Sequence, residues 1–334
     1  MAEATVDVWR GALIESRHRV SVAVCDAGRQ LRARCGDPDL LIYARSAIKP
    51  YQALPLVEDG VAERFALSAA ELALCCASHS GEARHIDVAQ SLLRKIGAAE
   101  EALACGAHAP FHEPTARALR AAGEEPTRLH NNCSGKHAGM LALARHHGWS
   151  LSGYQALEHP VQQRMLHEVS RWIELPVEEI PAAVDGCGVA TFAGPLRAFA
   201  FGFARFAAAA RRGEMGPARI VAAMTRNPEY VGGSGRFCTE LMRVTAGRIF
   251  VKVGAEGVYL AGAPGAELGI AVKVEDGAQR AAEPALISVL RALSLLTDDE
   301  LAGVARFVEP VLHNTRNEEV GAIRAALQLE PGHG

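Results

Sequence analysis

The sequence predicts an α+β fold, with a sheet assembled from both chain ends around a large helical middle. Two observations carry this. Strand-like alternation is confined to roughly the first 35 residues and to the stretch from about 248 onward, whereas residues from about 46 to 230 follow a helical period. No repeat, low-complexity tract or Pro/Ser-rich linker divides the chain, so residues 1–334 are expected to form a single composite domain.

Taken in order, residues 6–15 and 19–34 alternate as the two arms of a hairpin, with Asp26-Ala27-Gly28-Arg29 near the turn. Helical periodicity then runs over 47–59, 68–76, 82–96, 136–147, 159–173 and 195–212, with Gly- and Pro-bearing loops between. Strand character returns at 248–253, 257–261 and 269–274. A helix is expected over 281–296, and 319–327 reads as a last strand or a helix.

Hydrophobic residues make up 49% of the chain and charged residues 22%, an ordinary globular balance that can bury a substantial core. A net charge of −3 without a basic stripe argues against a nucleic-acid or anionic-membrane partner. The N-terminus has no basic region followed by an apolar one, and the apolar stretch 199–210 is short and interrupted by Arg205. A cytoplasmic protein with no membrane span is therefore expected, and its eight cysteines are expected to be reduced.

Only five of the 35 basic residues are lysines: 49, 95, 136, 252 and 273. A lysine kept in so arginine-rich a chain suggests a task arginine cannot perform, such as losing its proton when buried. Four of the five fall in suggestive motifs. Ser46-Ala47-Ile48-Lys49 sets a hydroxyl and an amine three apart at a helix start, where the lysine could activate the serine. An N-capping serine with an incidental lysine would look the same.

Ser78-His79-Ser80-Gly81 could present hydroxyls to a pocket, or could cap the helix beginning at Glu82. The densest polar cluster is His130-Asn131-Asn132-Cys133-Ser134-Gly135-Lys136-His137, just before an apolar helix and costly to bury unless it forms a site. On residue types alone, Cys133 and His137 could reach a zinc ion, with Cys187 of Asp185-Gly186-Cys187-Gly188 as a distant third ligand. Lys252-Val253-Gly254 ends a strand like the Lys-Thr/Ser-Gly strand of penicillin-recognising enzymes, and an edge-strand lysine would read alike. Glu256 and Ser80 stand nearby as unranked alternatives.

The stretches GALIESRHRVSVAVCDAGR, ARSAIKP, CCASHSGE, NNCSGKHAGM, DGCG, GSGRFCTELMR, KVGAEG and GIAVKVEDG together resemble the Rhizobium-type L-asparaginases, in family order from about residue 10 to 280. The resemblance implies a fold similar to serine β-lactamases and penicillin-binding proteins, a homodimer, and hydrolysis of L-asparagine to L-aspartate and ammonia. It pairs Ser46 with Lys49 and Ser78 with Lys252, and it places Arg45, His137 and Asp185 along the substrate pocket. It also implies Zn2+ held by Cys133, Lys136 and Cys187, which replaces His137 as ligand with Lys136. Ser46 is favoured as nucleophile by analogy with the β-lactamases. The competing expectations are a glutaminase or other amidase or peptidase on the same fold, and a non-catalytic zinc- or thiol-responsive binding protein.

Overall fold

A computed structural model describes residues 4–332. The chain forms two compact units, each built from separate segments: one takes the residues up to Ala47, Ala193–Ala208 and those from Glu240 on, the other Ile48–Phe192 and Ala209–Thr239.

The first unit holds an antiparallel sheet drawn from both ends of the chain. Its strands are β1 (Ala4–Arg10), β2 (Leu13–Asp26), β3 (Leu31–Cys35), β7 (Phe250–Gly254), β8 (Val258–Ala263), β9 (Leu268–Val274), β10 (Val311–His313), β11 (Glu319–Leu327) and β12 (Glu330–Pro331). The main order is β10-β11-β1-β2-β9-β8-β7, with β3 joining β2 to β12. The 14-residue β2 is its spine: the first half pairs with β1, and Val22 in the second half pairs with Cys35 on one edge and Val272 on the other. Residues 6–15 are thus not one strand but the end of β1, a turn and the start of β2. Gly11, at φ +55°, permits that reversal, whereas the expected turn near Asp26 is present. Residues 319–327 are a strand, paired with β1 from Ala4 to Arg10.

All six residues of β8 are buried, the pattern of a strand covered on both faces. The helix Gln279–Ala292 packs on β8, β9 and β11. The helix Leu196–Arg211 sets Phe203 and Phe206 on the ring of Phe250, with centroids 5.3 and 5.7 Å away. Two missing side chains allow this: a Cβ at Gly262 would lie 2.3 Å from the Phe250 ring, and one at Gly269 would lie 2.0 Å from Ala200 O. A short strand β4 (Leu41–Tyr43) pairs with residues 193–195 of β6 (Ala190–Pro195).

The second unit is mainly helical. Its central helix, Ser134–His147, is buried from Ser134 to Ala144 and packs against Lys49–Glu58, Ala69–Cys75, Ala83–Lys95 and Pro160–Ile173. The strand β5 (Ala182–Val184) pairs with residues 190–192 of β6 around the Asp185–Gly188 turn. No helix among the described residues is long and apolar enough to cross a membrane.

Candidate active site

Two glycines place the site. Gly135 and Gly139 lie one turn apart on the central helix, and their Cβ atoms would fall 2.4 Å from Leu74 O and 2.9 Å from Cys75 Sγ. Their bareness lets the helix Ala69–Cys75 press close and delivers residues 76–82 onto the loop that opens the central helix. There His79 N donates to Asn132 O at 3.1 Å. Gly81 N donates to His79 Nδ1, so the ring proton lies on Nε2 and donates to Ser134 Oγ at 2.9 Å. Burial, then the neighbouring His85 and Lys49, hold His79 well below its usual pKa, so it is neutral.

A second segment clasps the same loop from Glu229 to Ser234. Ser78 N donates to Val231 O at 3.1 Å, Ser80 Oγ to Gly232 O at 2.9 Å, and His85 Nε2 to Glu229 O at 2.8 Å. Glu82 accepts from Ser234 N at 2.6 Å and from Ser234 Oγ at 3.0 Å. Those two donors outweigh burial and hold the Glu82 carboxyl below its ordinary range. The clasp needs Gly233, which sits at φ +115° with Glu82 Oε1 and Ser80 Oγ each 2.7 Å from where a Cβ would stand.

Within this frame Lys49 is fully buried. Its Nζ donates to Ala77 O and lies 3.1 Å from Ser78 Oγ and 3.1 Å from Cys133 Sγ. Cys133 Sγ also lies 2.9 Å from Asn132 Oδ1. One turn along the central helix, Lys136 Nζ donates to Cys187 Sγ at 3.0 Å, and Asp185 Oδ2 lies 3.6 Å from that sulfur. Cys133 also hydrogen-bonds Cys187; with the charge of Lys136, that bond overcomes burial and pulls the Cys187 thiol down to about 5. The same bond, then burial, push Cys133 up to about 12. Burial works against the Lys136 ammonium, but the two sulfurs and Asp185 more than compensate and raise its pKa. His137 makes no contact of this kind with the sulfurs: its Nδ1 lies 2.6 Å from Tyr154 Oη. Burial and the Lys136 charge push its pKa down to about 3.

The remaining predicted residues lie in the first unit. Arg45 opens a 3-10 turn over Arg45–Ile48 and holds φ +52°, an uncommon backbone for an arginine, immediately before the half-buried Ser46. Gly254, at the end of β7, approaches this turn so closely that a Cβ would meet Ala44 O at 2.7 Å. On the same strand Lys252 is buried and donates to Val253 O at 2.7 Å.

Lys49, Ser78 and Cys133 thus meet, as do Lys136, Cys187 and Asp185. Sequence reasoning missed Glu82, Ser234 and Tyr154 as supports; the GGSG run of residues 232–235 was the one signal that a close approach occurs there. All eight cysteines are buried. A cavity of about 580 Å³ beside His108, Leu119, Arg120 and Glu124 contains none of the predicted site residues.

A hydroxyl held against a buried lysine on a mixed α/β scaffold is an arrangement that acyl-transfer chemistry can use. The family model of "L-asparaginase II" matches residues 6–325, nearly the whole chain, and the chain belongs to that family. Among solved structures, one of Mglu in the presence of 4.3 M NaCl is 15% identical, with a TM-score of 0.36, covering 85% of this chain and 63% of that one. A second Mglu structure is 16% identical, with a TM-score of 0.35, covering 84% and 68%. This chain therefore spans under two thirds of the length of the first. No curated protein matches significantly.

Proposed function

We propose that the chain hydrolyses L-asparagine to L-aspartate and ammonia by serine–lysine chemistry. The observation that carries the chemistry is the buried Lys49 Nζ at 3.1 Å from Ser78 Oγ; the substrate rests on membership of the L-asparaginase II family. As the free amine, Lys49 accepts the Ser78 proton while Oγ attacks the side-chain amide carbon. The lysine returns that proton to the amide nitrogen, the C–N bond breaks, and ammonia leaves. Water then attacks the acyl-enzyme and gives a proton to the amine, which passes it to Ser78 Oγ as the C–O bond breaks, so that aspartate leaves and the hydroxyl and free amine are restored. Backbone N–H groups facing the new oxyanion would lower the barrier by about 3–4 kcal/mol.

A second reading makes Ser46 the nucleophile. The left-handed Arg45 in front of it favours this, since such backbone strain gathers at reactive positions. The resemblance gives Lys252 the role of a second base and places Arg45 and Asp185 at the pocket, where a guanidinium suits the substrate carboxylate and a carboxylate its ammonium. It also implies a homodimer and a serine β-lactamase-like fold, both part of the same proposal.

Zinc fits the donors at hand. No group of three His, Cys, Asp or Glu suited to a metal occurs among the described residues. Cys133, Cys187 and Lys136 nevertheless bring two sulfurs and an amine together, and the readily ionised Cys187 is a natural thiolate ligand. Bound there, zinc would supply a fixed positive charge that orders the start of the central helix.

The test is ammonia release from L-asparagine, with L-glutamine and a β-lactam in parallel. Wild type should favour asparagine, and Lys49→Met should abolish turnover. Ser78→Ala losing acyl-enzyme in rapid quench while Ser46→Ala keeps it supports the first reading; the reverse supports the second. Turnover of glutamine at equal efficiency would overturn the substrate assignment, because one methylene is worth only about 1–3 kcal/mol of discrimination.

A further inference from the structure

Tyr154 lies outside every motif that marks the site, yet it is buried against His137, with ring centroids 5.7 Å apart in an edge-on arrangement. Its backbone is anchored, since Gln162 Nε2 donates to Tyr154 O at 2.9 Å. Its hydroxyl has two neighbours. Ala104 N donates to Oη at 2.8 Å, and His137 Nδ1 lies 2.6 Å away.

A phenol carries one proton, and that proton decides the state of the imidazole. If Oη–H donates to Nδ1, the hydroxyl and Nδ1 are both satisfied, and the histidine proton must lie on Nε2. If Nδ1–H donates to Oη instead, the tyrosine proton and the Nε2 lone pair are both stranded. The first arrangement leaves one orphan and the second leaves two, and burial penalises each. His137 Nε2 is indeed a buried atom with no hydrogen-bond partner among the described residues.

We infer that Tyr154 is a positioning residue: it locks His137 as the Nε2–H tautomer, so that the unpartnered N–H is presented to an oxygen of the bound amino-acid substrate. The inference deepens the proposed function and rests on it for the identity of the ligand. An Nε2–H can pair with a carboxylate or amide oxygen and cannot accept from an ammonium, so the relay from Ala104 through Tyr154 dictates which end of the substrate His137 serves.

Two measurements test this. Nitrogen-15 NMR of wild type should show His137 protonated on Nε2 alone, and Tyr154→Phe should yield mixed tautomers. In kinetics, Tyr154→Phe should raise KM for L-asparagine by roughly 3- to 10-fold with a smaller change in kcat. In the His137→Gln background, whose amide donates from nearly the same place without a tautomer, adding Tyr154→Phe should change KM little. An equal KM penalty in both backgrounds, or a wild-type His137 protonated on Nδ1, overturns the inference. Repeating the assay with the α-methyl ester of asparagine separates the two oxygens: a penalty that disappears assigns the carboxylate, and one that persists assigns the amide. If wild type does not turn over asparagine, the proposed function falls, and the NMR result alone decides the tautomer lock.

Discussion

Glu82 grips Ser234 with both carboxylate oxygens, one on the backbone N–H at 2.6 Å and one on the hydroxyl at 3.0 Å. The grip ties residues 229–234 to the loop carrying Ser78, whose own N–H is held by Val231 O. Glu82→Ala should therefore lower kcat by about 10-fold or more through a loosened Ser78, since misplacement of a reacting atom is costly. Steady-state kinetics beside an unfolding curve separates this from a general loss of stability, and an unchanged kcat would remove Glu82 from the positioning machinery.

The close approach at Gly135 makes a sharper prediction about stability. A Cβ there meets backbone, Leu74 O at 2.4 Å, so Gly135→Ala should destabilise by about 2–3 kcal/mol through overpacking. Gly139→Ala should cost less, because its Cβ meets Cys75 Sγ at 2.9 Å, a side chain that can turn aside. Urea unfolding of both variants gives the order directly.

Glu71 is buried while it accepts from Ser68 N, Ser91 Oγ and Lys95 Nζ, at 2.6 Å for the last. Burial raises its pKa, but the Lys95 and Ser68 contacts prevail and leave it below the ordinary 4.5. A depressed carboxyl stabilises fully above its unfolded pKa, and the stabilisation is lost as pH falls through the folded value. Glu71→Gln should lower Tm at neutral pH and make the loss of Tm below about pH 4.5 shallower than in wild type. Parallel Tm curves for the two proteins would show that the group contributes nothing.

The sulfur–amine set predicts metal dependence. Wild type should carry about one zinc per chain by elemental analysis, and Cys187→Ser should lose it. Chelation should lower Tm of the wild type and leave Cys187→Ser unmoved. Equal zinc content in the two proteins would remove Cys187 from the ligand set.

Much of this was legible beforehand. Alternation at both ends announced the sheet, and β11 at Glu319–Leu327 is among the stretches where strand and helix could not be told apart by period. Pairing with β1, a tertiary fact, decided it. The residue types of the site were also legible: Lys49, Ser78 and Cys133 each stood in a motif. Their meeting was not, because the lysine and the cysteine are 84 residues apart and nothing in spacing encodes a 3.1 Å contact. Tyr154 gave no signal at all, since one tyrosine in a loop looks the same whether it faces solvent or fixes a histidine.

The scarcity of lysine has a practical reading. Lys49, Lys136 and Lys252 are buried, which leaves Lys95 and the half-buried Lys273 as the side-chain amines within reach of solvent. Active-ester dyes, aldehyde resins and amine-directed polymer attachment would thus be channelled onto two positions. One of these, Lys95, holds Glu71, so acylating it would break that ion pair. Conjugation at Lys273, with Lys95 replaced by arginine, would leave a single side-chain handle on an otherwise inert coat of guanidinium groups.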